Sequence, residues 1–360
     1  ILQSIRGEVT ARIVPLHCPG FKTKVVASAY DTFYHGIIGQ FDLDPKPYVD
    51  YEPINPFAPD YELQQGKFDF YKNNTVNLFN ASSMAAADEA EITRLLNAID
   101  LNVNVYTEYT PLEDFRKITF AGLNISMCNV HDDYLAKFLE EKFGMPYLIH
   151  SMPLGIKATG EWLLAVAERF GRADRAKKII EIEEAQLKEA LVPIVKKLEG
   201  KRAIVNGGVI RVAYLAVLLL ELGLEVVNVR PYHYDDFSDG AFETLESYSP
   251  DIEVNVAPGQ LNEFVNILKK ENPDLCISHS GTNGWVTKTG IPSVPLFSQA
   301  HAYFGYKGVF EQARHIKKLL ENTAFPRLIA ENTKLPYQAS WYEKDAYHYI
   351  DDSSLEELTF

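Results

Sequence analysis

The sequence predicts an α/β fold made of repeated Rossmann-like domains, each with a parallel sheet in which strands alternate with helices. Three observations support this prediction. Short apolar runs alternate with segments of helical periodicity along most of the 360 residues. The pair Gly207-Gly208 lies between a strand-like and a helix-like segment, which is the junction where such folds present ligands. A chain of this length is also long enough for two or three domains.

The first predicted domain covers residues 1–155. Its last helix, at 132–143, is expected to stop at Gly144 and Pro146, because these residues do not continue a helix. An insertion rich in Pro, Tyr and Asp, residues 42–69, is expected to be structureless and either functional or bound to a partner. The predicted strands of this domain are 9–16, 75–80, 103–107 and 121–127, and its predicted helices are 25–40, 85–99 and 132–143.

The second predicted domain covers residues 201–322 and follows a charged helical connector at 156–200. Residues 323–360 are predicted to form a partner-binding tail, because a free tail rarely carries aromatic residues such as Trp341 and Tyr342. The predicted strands of the second domain are 202–206, 225–229, 274–278 and 293–297, and its predicted helices are 211–222, 261–270 and 307–322.

The composition excludes several classes of protein. Lys and Arg total 35 against 49 Asp and Glu, a formal net charge of -14, whereas binding to a nucleic-acid backbone needs a clustered basic face. With 46% hydrophobic and 23% charged residues, the chain is expected to be globular rather than disordered. Its longest apolar stretch, residues 212–220, is far shorter than the ~20 residues that cross a bilayer, so no membrane span is expected.

The three cysteines and the lack of an export signal predict a reducing, cytoplasmic compartment. Glycosylation sequons at Asn73, Asn80 and Asn124 are then expected to be chance matches. The chain begins with Ile1 rather than Met, so an upstream segment is expected to have been trimmed.

Familiar nucleotide and catalytic motifs do not occur in the sequence. It contains no P-loop, no G-x-G-x-x-G after a strand, no H-E-x-x-H, no C-x-x-C and no G-x-S-x-G. An α/β enzyme that binds only its substrate, a binding protein and a metallocluster protein all remain open.

Several side chains lie where an α/β fold presents ligands, at the carboxyl ends of predicted strands. Cys128 precedes a helix whose dipole favours a thiolate, although a buried structural cysteine is the alternative. His301 follows the last predicted strand, where an ordinary hydrogen-bonded histidine is the alternative. Arg211 lies at a helix start, where a guanidinium and N–H groups suit an anionic ligand. Cys276 lies inside a strand and is expected to pack in the core.

Three motifs between residues 9 and 320 make the chain resemble the α-chain side of nitrogenase component 1. Residues 13–21, with Cys18-Pro19-Gly20-Phe21 at their end, look like the family's segment ending in C-x-G-F. Cys128, followed by residues 140–146, looks like the segment that holds the family's cysteine ligand. Residues 290–292, followed by Ala300-His301-Ala302-Tyr303, look like the segment with the histidine ligand, especially in the iron-only form.

The resemblance implies a complex iron–sulfur cofactor held between Cys128 and His301, with a heterometal that the sequence does not identify. Thiolate and imidazole suit iron, and so few protein ligands leave the cluster faces open to a substrate. The implied partners are a β-type component 1 subunit in a heterotetramer, an ATP-dependent iron-protein reductase and a small-molecule substrate. Further residues expected at the cofactor are Val26, Gly207, Gly208, Arg211 and Gln299.

The chain departs from the family pattern at other positions. Val26 and Tyr30 stand where the family places a Gln and a His over the cofactor, and Ile210 stands where it places an Arg. Residues 280–285 contain no clear match to the Lys that holds homocitrate. Homocitrate binding and dinitrogen reduction are therefore not expected. Reduction of another small molecule, such as a C–S bond substrate, is expected instead, with Tyr30 as the catalytic proton donor.

Two other functions remain open at this level. Scaffold proteins of the family, which assemble the cofactor without catalysis, generally keep the cysteine and lack the histidine, so His301 favours a catalytic chain. A relative of the dark-operative tetrapyrrole reductases would need a large apolar cavity and no Cys128. In the family, the cysteines for a second, electron-relay cluster precede the matching region. The chain is therefore expected either to be a trimmed fragment or to have no relay cluster of its own, and to be inactive alone.

Overall fold

Two parallel sheets organise the chain, as the predicted α/β class requires. The computed structural model describes residues 27–39, 43, 48–49, 52–53, 57–80, 84–107, 109–149, 152–234, 236–257, 260–296, 298, 300–344 and 348. The described residues up to 149, together with 162–179, form one compact unit, and residues 152–161 with those from 180 onward form a second. The predicted α/β class is confirmed. The predicted strand 9–16 and the Cys18 turn lie outside the described residues.

The first unit contains a four-stranded parallel sheet of order β4-β3-β5-β6 and a small antiparallel pair, β1-β2. Its strands are β1 Tyr48–Val49, β2 Glu52–Pro53, β3 Thr75–Asn80, β4 Asn102–Thr107, β5 Leu123–Ser126 and β6 Tyr147–Leu148. Its helices are α1 Ala27–Ile38, α2 Tyr61–Asn74, α3 Ala86–Ala98 and α4 Asn129–Phe143, and a 3₁₀ helix covers Leu112–Phe120.

Strand β3 is buried along its whole length, because neighbouring strands pair with both of its edges. A row of asparagine side chains crosses the sheet at its centre. Asn77 donates to the Oδ1 atom of Asn124 at 2.8 Å and accepts from Asn104 at 3.2 Å. Asn80 and Asn124 are buried, so their glycosylation sequons are chance matches, as predicted.

The second unit contains a five-stranded parallel sheet of order β11-β10-β7-β8-β9. Its strands are β7 Arg202–Gly207, β8 Glu225–Pro231, β9 Glu253–Val254, β10 Leu275–Ser278 and β11 Ser293–Pro295. Helices α5 Ile156–Arg169 and α6 Ala173–Leu198 contribute residues to both units. The remaining helices are α7 Val209–Glu221, α8 Asp239–Tyr248, α9 Leu261–Glu271, α10 Ser280–Lys288, α11 Gly305–Glu321, α12 Ala324–Glu331 and α13 Ala339–Glu343, with a 3₁₀ turn at Asp236–Ser238.

The strand order of the second sheet reverses at β7, since the next strand in sequence, β8, lies on one side of it and β10 lies on the other. Such a reversal opens a crevice beyond the carboxyl ends of the strands, where ligands of open α/β sheets bind. The Gly207-Gly208 turn at the end of β7 lies at this crevice. A side chain at Gly207 would overlap Leu296, so only glycine fits there without a shift of that leucine.

The structure differs from the predicted insertion at 42–69, part of which is helical. Helix α2 begins at Tyr61, and both the backbone N and the side-chain Nε2 of Gln64 donate to Asp60 at 3.0 Å. None of the residues of α2 is buried, so the helix has no apolar face to pack against the core. The sequence therefore lacks the apolar periodicity by which most helices are predicted.

The described part of the predicted tail packs against helices of its own unit. Helix α12 contacts α10, and α13 contacts α9. The Nδ2 atom of Asn266 donates to the carbonyl oxygens of Trp341 at 2.7 Å and Lys344 at 2.9 Å. A partner-binding role for residues 323–360 stays a prediction, as do the predicted domain boundaries. None of the helices in the described part of the chain is long and apolar enough to span a bilayer.

Glu221 caps the amino end of α5, and its titration should make the free energy of unfolding depend on pH. Its carboxylate accepts from the backbone N of Ile156 at 2.6 Å and of Lys157 at 3.1 Å, while burial raises its pKa. A raised pKa means that the folded chain binds the proton more tightly, so stability from this group is lost as the pH rises through that pKa. Glu221→Gln removes the titrating proton. The free energy of unfolding of the variant, relative to wild type, should therefore be higher at pH 7 than at pH 4.

Urea titrations at the two pH values measure this difference. Glu243→Gln, on the exposed side of α8, is the matched control for the loss of one negative charge. A wild-type-to-variant difference for Glu221 that stays constant between the two pH values would contradict the assignment.

Candidate functional site

Cys128 lies between the end of β5 and the start of α4, as the sequence predicts. Its backbone is extended, its side chain is half-buried, and it forms no disulfide. The Ser126 hydroxyl accepts from the backbone N of Cys128 at 3.1 Å and lies 2.7 Å from the buried carboxylate of Asp132. The carbonyl oxygen of Cys128 in turn accepts from the backbone N of His131 at 3.0 Å.

This hydrogen bonding fixes the backbone of Cys128 at the amino end of a 15-residue helix. The positive end of the helix dipole stabilises a thiolate at such a position. Gly144, with φ 65°, ends the same helix at the predicted position. The junction therefore presents one cysteine in a defined place at the carboxyl edge of the first sheet.

Cys276 is a packing residue, as predicted. It is fully buried in β10 within a cluster of apolar side chains. Burial raises the pKa of its thiol far above the ordinary value, which disfavours the thiolate that binds metals. Cys18 lies outside the described residues.

His301 lies in the segment after β11, and helix α11 holds that segment in place. The backbone N of Ala302 donates to the Glu311 carboxylate at 2.8 Å, and the carbonyl oxygen of Ala302 accepts from Gln312 at 3.3 Å. The ring of His301 packs against the ring of His315, with centroids 5.1 Å apart and planes tilted by 41°. Burial lowers the pKa of His315, and the neighbouring side chains of His301, Lys318 and Arg314 lower it further.

The segment that carries His301 also meets the first turn of α7. Arg211 is 7% exposed, and its guanidinium carbon lies 4.9 Å from the centroid of the Phe304 ring. Gly208 precedes the helix as its N-cap residue. The structure thus brings together two features that the sequence singled out separately, the Gly207-Gly208 turn with Arg211 and the segment after His301.

Two further aromatic side chains lie at the carboxyl ends of β8 and β10, the strands on either side of β7 in the second sheet. Tyr232 follows β8 and His279 follows β10, and their ring centroids are 5.9 Å apart. The Nδ1 atom of His279 accepts from the backbone N of Gly281 at 3.3 Å. Burial lowers the pKa of His279, so its imidazole is neutral near pH 7.

The other predicted site residues are less well defined. Tyr30 lies in α1, but its side chain is outside the described part, and Val26 and Gln299 are outside it altogether. Sequence reasoning did not single out His315, because only the fold of the loop after β11 brings it to His301. Cys128 belongs to the first unit and His301 to the second. Among the described residues, no group of three or more His, Cys, Asp or Glu side chains is arranged to hold a metal ion.

Comparison with known proteins identifies relatives of the chain. It is 27% identical over 234 residues to the nitrogenase molybdenum-iron protein alpha chain of Methanothermobacter marburgensis, which covers 64% of this chain and 49% of that relative. It is 24% identical over 229 residues to the nitrogenase iron-molybdenum cofactor biosynthesis protein NifE of Rippkaea orientalis, which covers 62% and 48% of the two chains. The chain thus spans about half the length of these curated relatives.

A solved structure of a known protein shows the same fold. The structure titled "Nitrogenase Cp1 at pH 5" superposes with a TM-score of 0.67 at 18% identity, covering 90% of this chain and 66% of the other. The family profile of "Nitrogenase component 1 type Oxidoreductase" matches residues 1–321. The chain therefore belongs to the nitrogenase component 1 type oxidoreductase family.

Proposed function

We propose that the chain is an α-type subunit of a nitrogenase-like reductase, which binds a complex iron–sulfur cofactor through Cys128 and His301. The observation that carries the proposal is the placement of Cys128, whose backbone is held by Ser126 at a strand–helix junction. A single half-buried cysteine, fixed in position, is what a terminal iron of a large cluster needs from the protein.

The chemistry of the two ligands fits such a cofactor. The Cys128 thiolate supplies a soft donor at one end, and the His301 imidazole supplies a borderline donor at the other. When bound, the cofactor would supply open metal sites at which a substrate is reduced by the electrons that the reductase delivers. The buried guanidinium of Arg211, stacked on Phe304, would favour a negatively charged cluster.

Other residues of the chain would shape the site around the cofactor. Gly207 and Gly208 allow the backbone to approach a ligand closely at the end of β7. Val26 and Gln299 would contribute contacts, and Tyr30 would hold a proton near the substrate on its phenol oxygen. We do not expect homocitrate, and we expect a small substrate such as one with a C–S bond rather than dinitrogen.

The partners belong to the proposal as well. A β-type component 1 subunit in a heterotetramer, with an ATP-dependent iron-protein reductase, would deliver the electrons in the cytoplasm. A similarity to the nitrogenase molybdenum-iron protein beta chain of Clostridium pasteurianum, 25% identical over 280 residues, fits pairing of homologous subunits. The matched region covers 60% of that relative.

A scaffold or carrier for cofactor assembly is the second candidate. Its support is the NifE relative, whose similarity to this chain is close to that of the alpha chain. His301 favours the catalytic role, because a second ligand retains the cofactor whereas a carrier must release it.

Anaerobic purification with the β-type partner, followed by assay of iron, sulfide, molybdenum and vanadium, tests the proposal. We expect several irons per chain, and substrate reduction that depends on the reductase and ATP. Cluster transfer to a cofactor-free component 1 protein, without turnover, would instead identify a scaffold. A protein that holds no iron after purification and reconstitution would contradict both functions.

A further inference from the structure

An open cavity of about 700 Å³ lies beside β11, which is the edge strand of the second sheet. Side chains of α11 and α12 form most of its wall, and Ser293 of β11 contributes to it. The volume lies within the range of ~300–1,000 Å³ that small-molecule sites occupy. The cavity does not involve residues 280–285, the region where the family resemblance would place the homocitrate lysine.

Positive charge dominates the wall that α11 provides. Arg314 and Lys318 are one helical turn apart on the same face, and both line the cavity. Neither side chain has a hydrogen bond or ion pair to any residue in the described ranges. The one acidic residue in the lining, Glu311, is already engaged, since it accepts from the backbone N of Ala302 at 2.8 Å and lies 3.8 Å from Lys307.

Cations near the carboxyl end of a helix also complement its dipole, and this is the alternative explanation for Arg314 and Lys318. Lys317, on the same turn, fits that explanation fully, because it pairs with Glu321 at 3.1 Å and does not line the cavity. The two cavity cations differ from it in having no carboxylate partner among the described residues and in lining the open cavity together with two imidazole rings.

The remaining walls determine which anion would fit. The rings of His301 and His315, with the hydroxyl of Ser293, offer hydrogen-bonding groups next to the cations. The lining also includes the apolar side chains of Leu319 and Phe325, the latter 67% exposed despite its size. A ligand with a charged head and a short apolar body would cover Phe325 while its head meets the cations.

We propose that this cavity binds a small organic anion, with its carboxylate or phosphate group between Arg314 and Lys318 and its apolar part against Phe325. The site goes beyond the proposed function and needs no bound cofactor. An anion there would contact the segment that carries His301, because this residue lines the cavity.

Isothermal titration calorimetry on the full chain at constant ionic strength tests the site with four probes: phenyl phosphate, benzoate, inorganic phosphate and phenol. We expect saturable binding of phenyl phosphate or benzoate, and the stronger of the two identifies the head group. Inorganic phosphate should bind more weakly than phenyl phosphate, and phenol should not bind. Phe325→Ala should remove the advantage of phenyl phosphate over inorganic phosphate.

The double variant Arg314→Ala/Lys318→Ala should lower the affinity for the organic anion by roughly tenfold or more, because two charge-assisted contacts are lost. Lys317→Ala, the matched control on the same turn, should change it by less than about twofold. The substituted residues lie at the surface of α11, so thermal unfolding should show that the double variant and the control both remain folded. Equal affinity in the double variant, or no saturable binding of either organic anion by about 10 mM, would overturn the proposal.

The same titration on Cys128→Ala protein separates this site from the proposed function. Binding of the anion should persist there, because Cys128 belongs to the other compact unit and does not line the cavity. Loss of iron with retained anion binding supports the anion site on its own, whereas loss of anion binding in this variant would contradict its independence from the cofactor.

Discussion

Cys128→Ala is expected to lower the iron content of the anaerobically purified protein by roughly tenfold or more, since it removes the only thiolate proposed to hold the cofactor. The substitution is small and half-exposed, so the fold should be retained. The backbone hydrogen bonds of Ser126 and His131 to residue 128 do not depend on its side chain. Loss of iron from a folded protein would therefore report on the thiolate itself.

Cys276→Ala is the matched control, because it removes the same atom from the other sheet. Its thiol is fully buried in β10 and its pKa is raised, so we expect unchanged iron content and a loss of about 1 kcal/mol in the free energy of unfolding. Iron and sulfide assays, with urea titrations on both variants, make the comparison. Equal iron loading in the two variants would remove the proposed role of Cys128.

Strands β3 and β7 could be predicted because short segments rich in apolar residues stand between helical segments of the sequence. Strand β3 at Thr75–Asn80 has the predicted bounds, and β7 differs from the prediction only by including Gly207. Buried parallel strands are rich in apolar residues, so they can be recognised in a sequence without knowledge of the strands beside them. The position of Cys128 could be predicted in the same way, because it lies between a strand, β5, and a helix, α4, that ends at Gly144.

Helices without a buried apolar stripe are harder to predict. Helix α2 buries no residue, and α10 contains Gly281 and Gly284, which have low helix propensity. What identifies α10 in the structure is its cap, in which the His279 side chain accepts from Gly281. A histidine is not a common N-cap residue, so its position in the sequence does not indicate a helix start.

Contacts that depend on tertiary packing could not be predicted from the sequence. Thirteen residues separate His301 from His315, and nothing in either neighbourhood indicates that their rings meet. The pairing arises because α11 folds back against the segment after β11, where Glu311 and Gln312 hold the backbone of Ala302. The position of His301 after β11 agrees with the prediction, whereas its contact with His315 could not be predicted.

Gly308→Ala is expected to displace this segment and to destabilise the second unit. A Cβ atom at residue 308 would overlap the carbonyl group of Tyr303, which is backbone and cannot rotate away as a side chain would. Either α11 or residues 301–304 must then move. Overpacking of this kind costs about 3 kcal/mol in the free energy of unfolding.

Gly284→Ala is the matched control, because its added Cβ atom would meet no other atom within 4 Å and Gly284 also lies in a helix. Alanine has the higher helix propensity, so this variant should be more stable than wild type by up to about 1 kcal/mol. Urea titrations measure both changes, and they should have opposite signs. If Gly308→Ala were as stable as Gly284→Ala, the close approach of α11 to Tyr303 would not be what holds His301 in place. In that case the hydrogen bonds of Glu311 and Gln312 to Ala302 would have to hold the segment alone, and Glu311→Ala would become the variant that releases it.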